Sequence, residues 1–247
     1  MKIAHIIKRL DKYIERIEYY ETINSTHKYL QDSNIYHKSN TLVIASNQSN
    51  SIGKYNKKYY SYQDCGLYMS LLIKNVHEIN KLPFIMGVSI VESIKELYGI
   101  KVDLKWVNDV YLNNKKLAGI LVSQSNDDAI ISVGLNLFRP ISNYDKDIID
   151  QVIPLFEERK DINIDYLIIR IIELFFKYYN DDVDIIKKYK QYLFIINHYI
   201  NYNNQVLLVK DISEEGALIT LTLDKKEFII NSGSIKLLNN YEDKTNN

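Results

Sequence analysis

The residues best placed to do chemistry sit in one stretch, "KWVNDVYLNNKKLAGILV", Lys105–Val122. It holds the only tryptophan, an Asn108-Asp109 pair closing a strand-like run, and a Lys-Lys-x-x-Gly run opening the next. Carboxylate and amide oxygens at a strand end are the hard donors that Mg²⁺ and a polyphosphate chain take. Lys116, across the hairpin, could neutralise charge that builds between a carboxylate and a phosphate. Spacing alone is met more simply by an ordinary hairpin with an Asn113-Asn114 turn and solvated lysines. The second candidate is the polar stretch Asn47–Asp64, which has no hydrophobic period and reads as a long loop. Loops of this length inside a compact domain tend to be functional. Its "YNKKYYSY" run interleaves Lys and Tyr as single-strand nucleic-acid binders do. Cys65 lacks the companion His and Asn pattern of a nucleophile and reads as structural.

Elements must hold these residues in place. Ile3, Ile6, Ile7, Leu10, Tyr13 and Ile14 recur at helical spacing, which predicts an amphipathic helix within residues 1–16. Ile17–Ile23 and Thr41–Ser46 read as strands, with Ser25 or Thr26 capping a short helix through Gln31 between them. Gly66–Lys74 is a further buried strand. Pro83–Gly99 is a helix with Pro near its start and Gly at its stop. Residues 101–124 read as two strands around the Asn113-Asn114 turn, and Ala129–Phe138 as another. Segments 145–157 and 163–190 look helical. From residue 193 short β runs alternate with Glu215-Gly216, Asp224-Lys225 and Ser232-Gly233, the pattern of a small barrel.

Composition narrows the classes. Lys+Arg equals Asp+Glu, 31 against 31, which argues against a chain that mainly neutralises nucleic-acid phosphates. One cysteine excludes internal disulfides and cysteine-rich zinc sites. The N-terminus lacks the apolar core of a signal peptide. The most apolar later stretch, Tyr166–Tyr179, is too short to span a bilayer and is interrupted by Arg170 and Glu173. These features lead us to expect a soluble, cytoplasmic protein that uses neither a membrane nor nucleic acid. The 21 Tyr, and the 26 Lys set against 5 Arg, read as a coding bias across the whole chain.

The central stretch resembles the Lys-Trp-Pro-Asn-Asp … Lys-x-x-Gly-Ile-Leu signature of biotin protein ligases. Other marks of that family follow in order. "NSTHKYL" is similar to its Ser-Thr-Asn element. "IASNQSNSIGKYNKKYYSYQDCGLYMSLLI" is similar to its Gln, its Gly-Arg-Gly-Arg loop and the Gly-Leu-Tyr-x-Ser strand beyond. "SVGLNLF" is similar to its Gly-x-Gly-x-Asn strand. The resemblance covers nearly all of residues 17–238. It implies an α+β fold, a mixed-sheet catalytic domain like that of class II aminoacyl-tRNA synthetases over residues 1–192. A small SH3-like β-barrel would follow over 193–240, then a polar tail, 241–247. Ligase-like sequence beginning near Ile17 leaves no room for a winged helix, so the class without a DNA-binding domain is expected.

The same resemblance implies site residues and roles. Ser25, Thr26, His27, Gln48, Ile52, Gly53, Lys54, Lys116, Gly119 and Gly134 would bind biotin. Lys54, Lys57, Tyr59, Asn108, Asp109, Lys116 and Asn136 would bind ATP, with Asp109 near its Mg²⁺. Lys116 would be the catalytic residue. The activity implied is ATP-dependent ligation of biotin to a lysine of a biotin carboxyl carrier protein through biotinyl-5′-AMP, by an enzyme that pairs as a homodimer. Lipoate or octanoate ligation shares the adenylate logic and stands as the alternative. So does a biotin sensor that has lost ligation. The altered 51–54 loop motivates the sensor, with Ser51 for Gly and Ile52 and Lys54 for Arg; these and the other departures, His27 for Asn, Val107 for Pro, Ser132 for Gly and Ser123 for Glu, read more simply as drift under the coding bias. Ser51 in particular would lose a backbone conformation with φ > 0 if the loop needs one.

Overall fold

A computed structural model describes residues 2–54, 59–140, 142–159, 162–181 and 183–238. Lys57 and the 241–247 tail lie outside the described residues. Seven strands form one mixed sheet, in the spatial order β1 (Arg16–Ile23), β2 (Thr41–Gln48), β3 (Gly66–Ile73), β7 (Asp128–Asn136), β6 (Lys115–Ser125), β5 (Asp109–Leu112), β4 (Asp103–Lys105). β1 and β2 run parallel and the other neighbours antiparallel.

The central strands are apolar on both faces because both faces are covered. Leu42, Ile44, Met69, Leu71, Ile131 and Val133 face the main core, with α3 (Leu82–Tyr98) and α4 (Ile164–Asn180). α1 (Ile3–Leu10) packs on α4, and α5 (Ile185–Lys190) on α3. On the opposite face Leu30 of α2 (Thr26–Ser33) meets Val43, Leu72 and Ile130. Strand side chains alternate between faces, so β7 continues that second face with Ser132, Gly134 and Asn136. Bulk therefore falls away along the strand beyond α2, and the sheet is left bare there.

A second, antiparallel sheet has the order β11 (Glu227–Ile230), β10 (Leu218–Leu221), β9 (Gln205–Ile212), β8 (Tyr199–Tyr202), β12 (Lys236–Leu237). Its turns fall where the sequence marks them, with Gly216, Lys225 and Gly233 at φ 90°, 62° and 126°. Among the described residues no helix is long and apolar enough to cross a membrane.

Four elements differ from expectation. The first helix stops at Leu10, and Arg16 already belongs to β1. The arm expected as one strand before Asn113-Asn114 is two, β4 and β5, broken at Trp106–Asn108. There the Trp106–Val107 peptide is cis and the buried indole Nε1 donates to Gly216 O at 2.8 Å in the second sheet. Residues 163–190 form two helices, since the Asp184 side chain starts α5 afresh by accepting from Lys187 N. Segment 145–157 is not a helix. Asp145–Val152 make turns, and the chain then runs extended, with Ile153 N donating to Lys116 O and Leu155 N to Asn136 O. Pro154, which has no N–H to give a helix, sits in the middle of it.

Candidate functional site

The bare part of the sheet is the floor of two joined cavities. The larger, about 400 Å³, is lined by Asn108, Asp109, Lys116, Asn136 and, from the strap 144–152, by Tyr144, Ile148, Gln151 and Val152, among others. The smaller, about 70 Å³, lies under the start of α2. Gly53, Lys54, Tyr59, Asn108 and Lys116 line both, so they mark the junction.

All ten residues expected around biotin line the smaller cavity. Ser25 is the N-cap of α2, with Oγ accepting from Lys28 N at 3.3 Å. Thr26 N and Oγ1 both donate to Gln48 Oε1, at 2.8 and 3.2 Å. Gly119 and Gly134 are register partners on β6 and β7. A Cβ on Gly134 would collide with the Tyr59 ring, and one on Gly119 would stand 3.1 Å from Lys116 Nζ. The two glycines thus make room for the two groups at the junction. Tyr59 is half-buried there, and desolvation of its phenol holds it well above the usual range.

In the larger cavity Lys116 Nζ pairs with Asp109 Oδ1 at 2.7 Å. That oxygen is buried and has no partner aligned as a hydrogen bond, so the pair is a charge contact. Burial lowers the pKa of neighbouring Lys105, with Asp109 opposing the shift and Lys116 adding to it. Asn108 is partly structural: Nδ2 donates to Ile120 O at 2.7 Å, which leaves Oδ1 for a ligand. Among the described residues no three His, Cys, Asp or Glu side chains gather as a metal cage. One carboxylate beside a lysine fits Mg²⁺ that arrives on phosphates, not a resident metal.

The loop at residue 51 corrects one worry and adds a contact. Neither Ser51 nor Gly53 has positive φ. Ser51 is buried, its Oγ donates to Tyr59 O at 2.5 Å, and its carbonyl accepts from Tyr59 N. Serine therefore fastens the loop where glycine was expected. Lys54 Nζ donates to Gly233 O at 2.9 Å and so ties the loop to the second sheet. Tyr60 bonds Asp147, and Tyr62 bonds Asp145 at 2.9 Å, which ties it to the strap. The tyrosines beyond Tyr59, Tyr111 and Tyr144, and Gln151 and Val152 of the strap, are lining residues that sequence reasoning missed. Pro154 was the available signal that the strap is not helical. The tyrosines had none in a chain so rich in them.

Residues 19–136 match the Biotin/lipoate A/B protein ligase family. Over 132 residues the chain is 31% identical to the bifunctional ligase/repressor BirA of Bacillus subtilis, a match spanning 50% of this chain and 41% of that protein. It is 31% identical over 135 residues to BirA of Escherichia coli, 52% of this chain and 42% of that one. The match thus spans about two fifths of the length of these curated relatives. Among solved structures, the biotin protein ligase from Aquifex aeolicus in complex with biotin and ATP superposes with a TM-score of 0.76 at 25% identity. That match covers 91% of this chain and 99% of the other.

Proposed function

We propose, from the match of residues 19–136 to the Biotin/lipoate A/B protein ligase family, that the protein ligates biotin to a lysine of a biotin carboxyl carrier domain through biotinyl-5′-AMP. The observation that carries this reading is the junction at Lys116, which lines a small cavity on one side and a large one on the other. Biotin's ring would fill the first and ATP the second, so that the carboxylate and the α-phosphate meet beside Lys116. Two anions repel, and the ammonium group supplies positive charge where it builds on phosphorus. The carboxylate oxygen attacks the α-phosphorus, and the bond to pyrophosphate breaks. Magnesium carried in by the nucleotide and touching Asp109 would add positive charge on the phosphates. The carrier amine then attacks the acyl carbon, and AMP leaves. Positioning of the two reactants supplies most of the gain in that step. Tyr59 and the loop from Ser51 shield the mixed anhydride from water.

The small cavity favours biotin over lipoate. Its polar lining, which includes Ser25, Thr26, Gln48 and Ser132, can pair with a ureido ring. A dithiolane has no N–H or C=O and would gain no hydrogen bond from that lining. We further read residues 1–192 as the catalytic domain and 193–240 as the small β-domain. The site of action is read as the cytoplasm, and β1, the long edge strand, as where a second copy would pair. The test is incubation with ATP, Mg²⁺, biotin or lipoate and an apo carrier domain, followed by carrier mass. A gain of biotin supports the proposal. A gain of lipoate, or biotin binding with an unmodified carrier, overturns it.

A further inference from the structure

Beneath the small cavity a line of polar side chains crosses four strands, β6, β7, β3 and β2. Ser123 Oγ lies 3.1 Å from His27 Nε2, and His27 Nδ1 lies 2.8 Å from Ser132 Oγ. Ser132 Oγ lies 2.7 Å from Ser70 Oγ, which lies 2.7 Å from Thr26 Oγ1. Thr26 Oγ1 reaches Gln48 Oε1. Only the Gln48 end states a direction. The backbone N–H of Thr26 must donate, so the Gln48 atom facing it is the oxygen. The Thr26 hydroxyl, bonded to the same oxygen, also donates.

Each hydroxyl has one proton, so the rest follows step by step. Thr26 has spent its proton and accepts from Ser70. Ser70 then accepts from Ser132, and Ser132 from His27. His27 Nδ1 therefore carries the hydrogen, and its Nε2 accepts from Ser123. A neutral imidazole supplies this one-in, one-out pattern, and burial of His27 favours the neutral form. Ser70 is fully buried and Thr26 and His27 nearly so, so a break in the line leaves a polar group with no water to turn to.

We propose that His27 is a positioning residue for the biotin reaction: through Ser132, Ser70 and Thr26 it aims the second hydrogen bond that, with the Thr26 N–H, holds the Gln48 oxygen inward and leaves the amide nitrogen to donate to the bound ring. The inference rests on the biotin reading above. It deepens that reading by assigning ring affinity to a residue that acts through others.

The test uses the Nδ1 requirement. Asparagine places its amide where Nδ1 stands, whereas glutamine places its amide where Nε2 stands. Biotin affinity by calorimetry, and KM and kcat for ligation, are compared for wild type, His27→Ala, His27→Gln and His27→Asn. Loss of one buried hydrogen-bond partner is expected to raise Kd and KM for biotin about tenfold or more in the Ala and Gln variants, with kcat and the KM for ATP moved by less than about twofold. His27→Asn regains most of the loss. Ser132→Ala breaks the same line with a smaller change. The Ala/Ala double variant should be no weaker than either single one, because the line is already cut. Rescue by Gln and not Asn, additive losses, a fall in kcat alone, or unchanged affinity throughout would each overturn the inference while wild-type biotin binding leaves the ligase reading intact. Wild type that binds no biotin removes both.

Discussion

Lys116→Ala separates the role of the central lysine in chemistry from its role in stability. The Lys116–Asp109 side chains are 33% and 22% exposed. A partly solvated pair of this kind contributes about 0–1 kcal/mol to folding, so the variant should remain folded, with a small shift in melting temperature. Its effect on the first half-reaction should be much larger. Removing a preorganised donor from developing charge costs about 2.7–4 kcal/mol, or about 10²–10³ in rate. ATP–pyrophosphate exchange dependent on biotin measures that half-reaction alone. Transfer from purified biotinyl-AMP to the carrier measures the second, where Lys116 faces a phosphate already bonded and the loss should be less than about tenfold. Asp109→Asn is the companion variant: it keeps Lys116 and removes its partner, and should slow exchange less than Lys116→Ala does. Exchange within about threefold of wild type, or a loss confined to the KM for ATP, would show that the lysine holds substrate without favouring the transition state.

Ser51→Gly restores the residue that the resemblance expects, yet it should weaken the enzyme. It removes the buried bond to Tyr59 O and loosens the chain, a loss of about 1–2 kcal/mol read from urea unfolding, with KM for biotin rising. Gly134→Ala drives a methyl into the Tyr59 ring. It should cost about 1–3 kcal/mol by overpacking, and Tyr59→Ala in the same chain should recover part of that. The pKa of His27 is lowered from 6.5 by burial. Below about pH 6.5 the unfolded chain therefore takes up a proton that the folded one resists, and stability falls on acidification and is flat above. The melting temperature of wild type should drop more than that of His27→Asn between about pH 7.5 and about pH 5. His37, shifted in the same direction, is common to both and cancels in the difference.

Much of this site was legible because its parts are local. The Lys116 hairpin, the Ser25 cap and the glycines of β6 and β7 each have a short-range signature, and their order along the chain did the rest. The illegible parts depend on contacts between distant residues. Nothing around Asp145–Phe156 announces that its backbone will clamp Lys116 and Asn136, and its apolar spacing imitates a helix. His27, Ser123 and Ser132 read as three separate departures from a pattern, and only the pleat of β6 and β7 brings them onto one face beside α2. The break at Trp106–Asn108 was hidden for a similar reason, since the indole leaves its strand for a partner more than a hundred positions away.

Two turns of the second sheet hold the site from above: Gly216 O takes the Trp106 indole and Gly233 O takes Lys54. Both carbonyls are made long after the strands that carry Lys116 and Gly134. A chain growing on the ribosome folds its N-terminal part first, so the sheet and its polar floor can form while the clasp on the loop is still missing. The last stretch of synthesis therefore supplies the Gly233 O contact to Lys54 and the Gly216 O contact to Trp106 only after the pocket's floor is complete.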